Sequence, residues 1–337
     1  MRRSTERRVA QALGDSVAVA ESALIERYFR DLGAGRDDVA LGIGDDAALL
    51  RVAANAELVL TTDALVEAVH FAAGAPAHSL GHRALAVNLS DIAAMGAAPS
   101  WALLSLNLPA IDDDWLAEFA AGFGALARRH AVALVGGNLS RGALSITVEL
   151  AGQVPRATAL RRDGAHAGDD LYVSGSLGDA ACGRAVLCGA VSAAPEDAAY
   201  LQHRFEYPTP RVELGQALRG LASACIDLSD GLYVDAARLL QASGCGALLA
   251  IEQLPLSAAL QRTLGDAAWQ QAVRGGEDYE LCFTAPPAAA AAIAAVASRC
   301  GQTISRIGEL QVGGGLTLHR GNTVMQFSPS GFDHFRS

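Results

Sequence analysis

The spacing of apolar residues changes period along the chain, and these changes predict a succession of helices and strands. Leu24, Ile25 and Tyr28 fall on one helical face near the amino terminus. Short runs of Val, Leu and Ile that stop at Gly, Pro or Asp are typical of strands. The predicted helices are Glu21–Leu32, Leu80–Met95, Asp114–His130 and an alanine-rich segment near Pro287–Ser298. The predicted strands are Glu57–Thr62, Ala102–Leu108, Val132–Val135, Leu144–Val154, Leu171–Ser174, Ala224–Leu228 and Ile304–Ile307.

This alternation of strands and helices predicts an α/β fold built of α+β layers. The chain has 337 residues, a length that favours two domains of ordinary size over a single one. The seam between them is expected in the stretch Val154–Gly168. We therefore predict an amino-terminal domain over residues 1–155 and a carboxy-terminal α/β domain over residues 156–337.

Composition and charge restrict the partners of the protein. Although 51% of the residues are hydrophobic, no stretch approaches the roughly 20 uncharged apolar residues that a membrane span requires. Arg2 and Arg3 are followed by polar and charged residues rather than by the apolar core of an export signal, so the cytoplasm is the expected compartment. The net charge of −10 argues against nucleic acid, because phosphate backbones attract basic surfaces. A protein of this charge that handles phosphates requires cations as mediators.

The basic residues are all of one kind: the 26 Lys and Arg positions are all Arg. A P-loop kinase requires the Lys of its phosphate-binding loop, and a protein kinase requires its strand lysine. Schiff-base enzymes also depend on a lysine. All three classes are excluded. A kinase with this composition would have to neutralise phosphate with metal ions and arginine.

Three acidic motifs follow predicted strands or lie at glycine turns. They are Gly44-Asp45-Asp46, Thr61-Thr62-Asp63 and Asp227-Leu228-Ser229-Asp230-Gly231. A fourth acid, Asp91, lies three residues after Asn88 on an otherwise apolar helix, so the two share a face. Taken singly, Asp beside Gly is usually a turn or a helix N-cap, and Asp91 alone could be a buried acid that accepts backbone amides.

The joint pattern of these acids favours a metal site. If carboxylates from distant parts of the chain converge, their repulsion forces some of them to stay protonated unless divalent cations are present. An all-oxygen set with small hydroxyl neighbours fits Mg²⁺, which shares its coordination shell with substrate phosphates.

These motifs, in this order, resemble the thiamine-monophosphate kinase family. The resemblance extends over residues from about 20 to 335, essentially the whole chain. GDDAA alone would indicate the wider superfamily that also holds aminoimidazole ribonucleotide synthetase and selenophosphate synthetase. Three further segments narrow the resemblance from the superfamily to the kinase: VEAVHF, NLSDIAAMGA and GGEDYEL. The further matching segments are GIGDDAA, TTDALVEAVHF, VGGNLSRG, DLSDGL, GGEDYELCF, IGEL and GFDHF.

The resemblance implies an activity and an assembly. The reaction would be the ATP-dependent phosphorylation of thiamine monophosphate to thiamine diphosphate. The assembly would be a homodimer in which the amino-terminal sheets of two subunits join into a barrel, with an α/β domain behind. ATP and thiamine monophosphate are the implied partners, and several Mg²⁺ ions the implied cofactors.

The resemblance also implies roles for individual residues. The implied metal ligands are Asp46, Thr61, Thr62, Asp63, Asp91, Asp227 and Asp230, with Asp91, Asp63 and Asp227 as the catalytic candidates. Ser229, Arg162 and the backbone around Gly137 would contact ATP. His70, Glu277 and Phe332 would surround the thiamine. His70 also has a plainer interpretation, as a structural histidine at the end of a strand.

One position departs from the family pattern. Where the family usually has GGD, this chain has Gly136-Gly137-Asn138. An amide oxygen can ligate Mg²⁺ but carries no charge, so Asn138 is a metal and ATP ligand candidate whose ion should bind more weakly or through water.

Two alternatives stay open on the sequence. One is another ATP-dependent synthetase of the superfamily that acts on a ribonucleotide. Selenophosphate synthetase is excluded, because that family has a catalytic Cys or selenocysteine near the amino terminus with a Lys nearby. Here the first cysteine is Cys182 and lysine is absent. The other is a magnesium–nucleotide binding module that has lost turnover, which the Asn138 departure favours.

Overall fold

The computed structural model describes residues 21–325 and 327, which form two β-sheets with helices packed on them. The first described segment is a short α-helix, α1 (Glu21–Leu24), which continues as a π-helical turn over Ile25–Phe29. It is followed by a small antiparallel pair of strands, β1 (Val39–Leu41) and β2 (Leu49–Leu50).

The first large sheet has four strands in the order β3-β6-β4-β5. Strand β4 runs parallel to β5, and the other neighbours are antiparallel. The elements are β3 (Ala56–Val66), α2 (Ala77–Ala94), β4 (Ala98–Leu108), α3 (Asp113–Arg129), β5 (Ala133–Arg141) and β6 (Ser145–Pro155).

One face of this sheet is covered by helix α2 and the other is largely open. Leu104, Ile146 and Val148 point to the covered face and are almost fully buried. On the opposite face, Leu60 is 70% exposed and Leu58 is 45% exposed. Leu103 on the neighbouring part of the sheet adds a third exposed side chain. Exposed aliphatic groups on one sheet face are unusual in a chain that functions alone.

Helix α2 is buried on nearly all sides, because it lies between the first sheet, helix α3 and the second half of the chain. Glycines allow the two helices to approach closely. A Cβ on Gly81 would lie 2.1 Å from the backbone oxygen of Phe119, and one on Gly122 would lie 2.0 Å from that of His78. This burial is what makes the acid on α2, Asp91, chemically conspicuous.

The second sheet has seven strands in the order β13-β12-β9-β11-β7-β10-β8. All neighbours are antiparallel except β12 and β9. Its strands are β7 (Asp170–Ser174), β8 (Ala224–Asp227), β9 (Cys245–Ala250), β10 (Leu281–Ala285), β11 (Ile304–Val312), β12 (Gly315–Arg320) and β13 (Thr323–Met325). Its helices are α4 (Asp179–Leu187), α5 (Pro195–Glu206), α6 (Val212–Ala217), α7 (Leu232–Ser243), α8 (Ala258–Leu264), α9 (Ala268–Arg274) and α10 (Ala290–Cys300). Short 3₁₀ turns occupy Ile251–Gln253, Gly265–Ala267 and Pro287–Ala289.

Both faces of the second sheet carry apolar side chains. Val173 and Ile226 pack in a core with Leu239 of helix α7. Tyr172 and Phe283 stack at 5.3 Å between ring centroids in another core, which is continuous with that of the first sheet. The continuous core means that helix α2 and strand β8 meet inside the protein.

Four predicted elements end elsewhere in the structure, and one of them is the strand predicted over Ile304–Ile307, which runs to Val312. The helix predicted over Glu21–Leu32 is α-helical only to Leu24. The strand predicted to end at Thr62 continues to Val66, since β3 pairs with β6 along its whole length. The strand predicted to end before the two glycines runs to Arg141. In the last two cases polar or glycine residues that suggested a strand end lie inside the sheet.

None of the helices in the described part of the chain combines the length and apolar character needed to cross a membrane.

Candidate functional site

Three of the predicted catalytic acids come together where the two halves of the chain meet. Asp63 lies on β3, Asp91 on α2, and Asp227 ends strand β8. The hydroxyl of Thr61 donates to Asp91 Oδ2 at 2.5 Å, and the hydroxyl of Ser90 donates to Asp227 Oδ2 at 2.8 Å. Strand alternation explains the first contact, because Thr61 and Asp63 share the face of β3 that looks toward α2.

The electrostatics of these acids show that they are crowded. Burial raises the pKa of Asp227 to about 8, and the nearby charge of Asp91 adds to the effect. Asp63 keeps exposed surface, but desolvation by the surrounding protein, followed by the charge of Asp91, raises its pKa to about 7. Burial also raises the pKa of Asp91, while the Thr61 hydroxyl and the positive charge of Arg162 lower it. Arg162 is therefore close enough to act on this cluster.

Such an arrangement fits divalent cations bound by oxygen. The carboxylates repel one another and are partly neutral in the protein alone, and a bound cation would remove both effects. Within residues 21–325 and 327, no three acid, His or Cys side chains close around a single point. Mg²⁺ is typically held by one or two carboxylates and completes its shell with water and substrate phosphates.

The loop that follows Asp227 is braced by the segment that precedes β10. The backbone N–H of Glu277 donates to the carbonyl of Ser229 at 2.8 Å, and that of Tyr279 donates to Leu228 at 2.9 Å. Glu277 has a φ of 72° and Tyr279 has a φ of 50°, a backbone conformation that residues other than glycine rarely adopt. Strain of this kind persists where the surroundings impose it, and it is concentrated at functional sites.

Asp230 belongs to the same loop and is already paired. Arg238 donates to Asp230 Oδ2 at 2.6 Å and to Asp235 Oδ1 at 2.8 Å. The other oxygen of Asp235 accepts the backbone N–H groups of Asp230 and Gly231, at 2.9 and 3.0 Å. The turn at the start of helix α7 is thus fixed by side chains that sequence reasoning did not select.

Glu277 and His70, two of the predicted thiamine-contacting residues, are both bonded to Arg83. Glu277 accepts a bond from Arg83 at 2.6 Å, and its charge contributes to the raised pKa of Asp63. His70 lies just past the end of β3, where its Nδ1 accepts the backbone N–H of Val66 at 3.0 Å. Phe332, the third predicted contact, lies outside the described residues.

Other predicted ligands lie apart from the acid cluster in the single chain. Thr62 alternates to the open face of the sheet, opposite to Thr61. Asn138 is exposed on β5, where it pairs in register with Ser105 of β4. Asp46 is exposed between β1 and β2, and its backbone N–H donates to Asp45 Oδ1 at 2.8 Å. Thr62 and Asn138 thus lie on the sheet face opposite to Thr61, and their roles as ligands stay predictions.

Gly137 is held in place by a sheet irregularity. The register between β4 and β5 shifts at Ala102 and Leu103, which places a bulge just before the glycines. Gly137 has a φ of 151°, and a Cβ there would lie 1.9 Å from the backbone oxygen of Leu104. The position requires glycine for close backbone approach, apart from any contact with nucleotide.

Sequence reasoning missed several residues of the site because their signals are weak. Ser90 precedes Asp91 and Asp235 follows the DLSDG motif, so proximity in sequence was the one available hint. Tyr279 lies two residues after Glu277 in the GGEDYEL motif, but Arg83 carries no hint of this kind, because its pairing with Glu277 is seen only in three dimensions.

Comparison with known proteins identifies the class first. A family model described as the AIR synthase related protein N-terminal domain matches residues 44–154, and the C-terminal domain model matches residues 166–321. Together with the two sheets, these matches define a two-domain protein of the AIR synthase related class. The predicted α/β, synthetase-like fold of two domains is confirmed.

Individual relatives narrow the assignment. Thiamine-monophosphate kinase of Salmonella typhimurium is 44% identical over 322 residues, which cover 95% of this chain and 99% of the relative. The crystal structure of thiamine-monophosphate kinase from Stenotrophomonas maltophilia K279a is 47% identical, with a TM-score of 0.80 and coverage of 84% of this chain and 92% of that one. AaThiL complexed with AMPPCP and TMP is 34% identical, with a TM-score of 0.74 and coverage of 87% and 92%. The chain belongs to the thiamine-monophosphate kinase family.

Proposed function

We propose that this protein transfers the γ-phosphoryl group of ATP to thiamine monophosphate, giving ADP and thiamine diphosphate. The observation that carries the proposal is the meeting of Asp63, Asp91 and Asp227, from both halves of the chain, beside Arg162. The relative AaThiL, crystallised with AMPPCP and TMP, supports the same substrate pair. A biosynthetic kinase that consumes ATP is expected in the cytoplasm.

The chemistry suits the residues that are present. The attacking group is a phosphate oxygen that is anionic at neutral pH, so the site requires no general base. The main obstacle is to bring two polyanions together, since each close pair of unit charges costs about 4 kcal/mol at an effective dielectric of 20. Arg162 supplies positive charge from the protein, and the three aspartates supply oxygen ligands for cations.

We infer that Mg²⁺ ions would each be held by one or two carboxylates drawn from Asp63, Asp91 and Asp227, with Thr61 fixing the orientation of Asp91. When bound, Mg²⁺ neutralises charge on the phosphates and aligns the in-line transfer. Ser90 keeps one oxygen of Asp227 engaged, so that carboxylate presents a defined direction to the site. Asp230 engages Arg238 through Oδ2, so it would present its other oxygen, Oδ1, to a cation.

The thiamine end of the substrate calls for an anion and an apolar surface, because the thiazolium ring is cationic. Glu277 is the matching acid, and it lies near Asp63 on the segment with strained backbone. The predicted roles of His70 and Phe332 follow from the resemblance. They are part of this proposal.

The direct test is a product analysis. Purified protein with Mg²⁺-ATP and thiamine monophosphate should form thiamine diphosphate and ADP in equal amounts, as measured by chromatography. Replacing thiamine monophosphate with a ribonucleotide tests the synthetase alternative in the same assay. Protein that binds both ligands but forms neither product would be a binding module, and the kinase proposal would then fail.

The Asn138 position gives a prediction about metal dependence. Asn138→Asp adds a charge to a position where the family usually has Asp, so the magnesium concentration for half-maximal rate should fall several-fold. The measurement is a magnesium titration of initial rate at saturating substrates. Asn55→Asp, an exposed change in the turn before β3, is the control for added charge. An unchanged magnesium dependence in Asn138→Asp would contradict a role as ligand.

We also propose that the functional unit is a homodimer joined through the open face of the four-stranded sheet. Leu58, Leu60 and Leu103 are exposed on this face, and burying them against a second copy would remove apolar surface from water. Thr62 and Asn138 lie on the same face, away from Asp91 of their own chain. A second copy on this face would enclose these two polar residues.

The dimer proposal predicts the effect of one surface change. The native chain has a mass of 34.7 kDa and should sediment at about twice that mass, whereas Leu60→Asp should sediment as a monomer. Val312→Asp is the matched control, because Val312 is 90% exposed on the other sheet and should leave the dimer intact. Sedimentation velocity at micromolar concentration decides; a Leu60→Asp dimer would overturn the proposed interface.

A further inference from the structure

Arg83 is the most deeply buried arginine side chain among the described ion pairs, with 2% of its surface exposed. It lies on helix α2, two turns before Asp91. Its Nη2 donates to Glu277 Oε2 at 2.6 Å, and its Nη1 donates to the carbonyl oxygen of His70 at 2.9 Å. The guanidinium also lies 4.1 Å from the centre of the Phe205 ring.

Hydrogen bonding of the guanidinium does not by itself explain why Arg83 is buried. Among residues 21–325 and 327, the Nε of Arg83 is buried and has no hydrogen-bond partner. A buried donor without a partner is unfavourable, and such groups are few in native proteins. Keeping an arginine here despite that penalty indicates that the site requires the guanidinium geometry. We call its two donating groups, Nη1 and Nη2, the fork; a lysine cannot reproduce it.

The fork determines which part of Glu277 faces the site. Glu277 Oε2 accepts from Arg83 and also from the hydroxyl of Tyr279, at 2.6 and 3.1 Å. Since Oε2 is occupied twice within the protein, Oε1 is the oxygen left to face a ligand. The backbone of Glu277 is held at a φ of 72° by its bond to Ser229, so the side chain starts from an imposed direction.

The second arm of the fork acts on the turn that carries His70. Arg83 holds the His70 carbonyl, while the ring Nδ1 accepts the N–H of Val66. Because Nδ1 is an acceptor in this bond, the neutral ring carries its proton on Nε2. One buried arginine therefore holds both the carboxylate of Glu277 and the backbone at His70.

We propose that Arg83 is a positioning residue for thiamine monophosphate, acting through Glu277 and His70 and not through the ATP site. The inference rests on the proposed function, because it assigns the substrate that these two residues recognise. It predicts that changes at Arg83 alter the Michaelis constant for thiamine monophosphate selectively.

The test separates the two substrates. Arg83→Lys keeps a positive charge but cannot form both bonds of the fork, so the KM for thiamine monophosphate should rise about tenfold. The KM for ATP and kcat should stay within about twofold of the native values, because ATP binding does not use this fork. In a double-mutant cycle, Arg83→Lys should add little to the effect of Glu277→Gln, because both changes remove the same contact.

Two further variants guard against a trivial loss of folding. Tyr279→Phe removes the second bond to Glu277 Oε2 but leaves Arg83 in place, and it should raise the KM for thiamine monophosphate about threefold. Arg262→Lys is the control, because Arg262 forms a similar two-bond pair with Asp197 on helices that carry none of the predicted ligands. It should leave both Michaelis constants unchanged.

The outcomes distinguish this inference from the proposed function. If the native protein forms no thiamine diphosphate, the proposed function fails, and with it the substrate assigned here. If the native protein is active and Arg83→Lys raises both Michaelis constants equally, or neither, the positioning role is overturned and the function stands. If Arg83→Lys does not fold, an unchanged KM for thiamine monophosphate in Tyr279→Phe overturns the role.

Discussion

Asp91→Asn should lower kcat for thiamine diphosphate formation by about 10²- to 10³-fold, the effect of removing one preorganised electrostatic group from a transition state. The amide keeps the shape of the side chain and can still accept from Thr61, so the local packing is preserved. What is lost is a negative charge on the helix between the two halves of the chain. Rates at saturating ATP, thiamine monophosphate and Mg²⁺ measure this effect.

The stability of Asp91→Asn should show the opposite trend. The charge of Asp91 raises the pKa of both Asp63 and Asp227, so its removal relieves repulsion in the metal-free protein. The thermal midpoint without magnesium should therefore be equal to the native value or higher. Asp266→Asn, an exposed change in the turn Gly265–Ala267, should alter neither rate nor midpoint. A near-native rate in Asp91→Asn would show that the metal-centre assignment is wrong.

Gly137→Ala should destabilise the protein by roughly 3 kcal/mol or more, since it combines an unfavourable φ with a severe backbone clash. The new Cβ would lie 1.9 Å from Leu104 O, 2.7 Å from its carbonyl carbon and 2.9 Å from its N. None of these atoms can rotate away, so strand β5 would have to separate from β4. Denaturant unfolding monitored by circular dichroism measures the loss.

The control for this change is another glycine. Gly314 has no heavy atom within 4 Å of an added Cβ and does not have a positive φ, so Gly314→Ala should change stability by no more than about 0.5 kcal/mol. If Gly137→Ala is as stable as native protein but loses ATP binding, the close approach between β4 and β5 is not what requires glycine at this position.

Much of the fold follows from local patterns. Period-two segments such as Leu144–Val154 and the buried helix around Leu80–Met95 were predicted close to their observed bounds, because burial leaves a regular pattern in sequence. The strand ends at Thr61-Thr62-Asp63 and Gly136-Gly137-Asn138 were wrong for a physical reason. Polar or small residues occupy both places, and such residues inside a strand resemble a turn.

The candidate site was predictable only in part. The motifs at Asp63, Asp91 and Asp227 could be selected because acids in apolar surroundings are costly. The relative positions of the predicted ligands could not be predicted, because the sequence does not state the register of the sheet. In the structure Thr62 and Asn138 alternate onto the far face. Arg83 and Glu277 are 194 residues apart in the chain, and local sequence contains no sign of that pair.

Helix α2 carries both Asp91 and Arg83, and it is buried along most of its length. Eight residues of α-helix correspond to a rise of about 12 Å between the acid and the arginine. Asp91, at one end of this span, lies in the cluster with Asp63 and Asp227, and Arg83, at the other end, is bonded to Glu277. The helix therefore fixes how far apart these two side chains start along its axis.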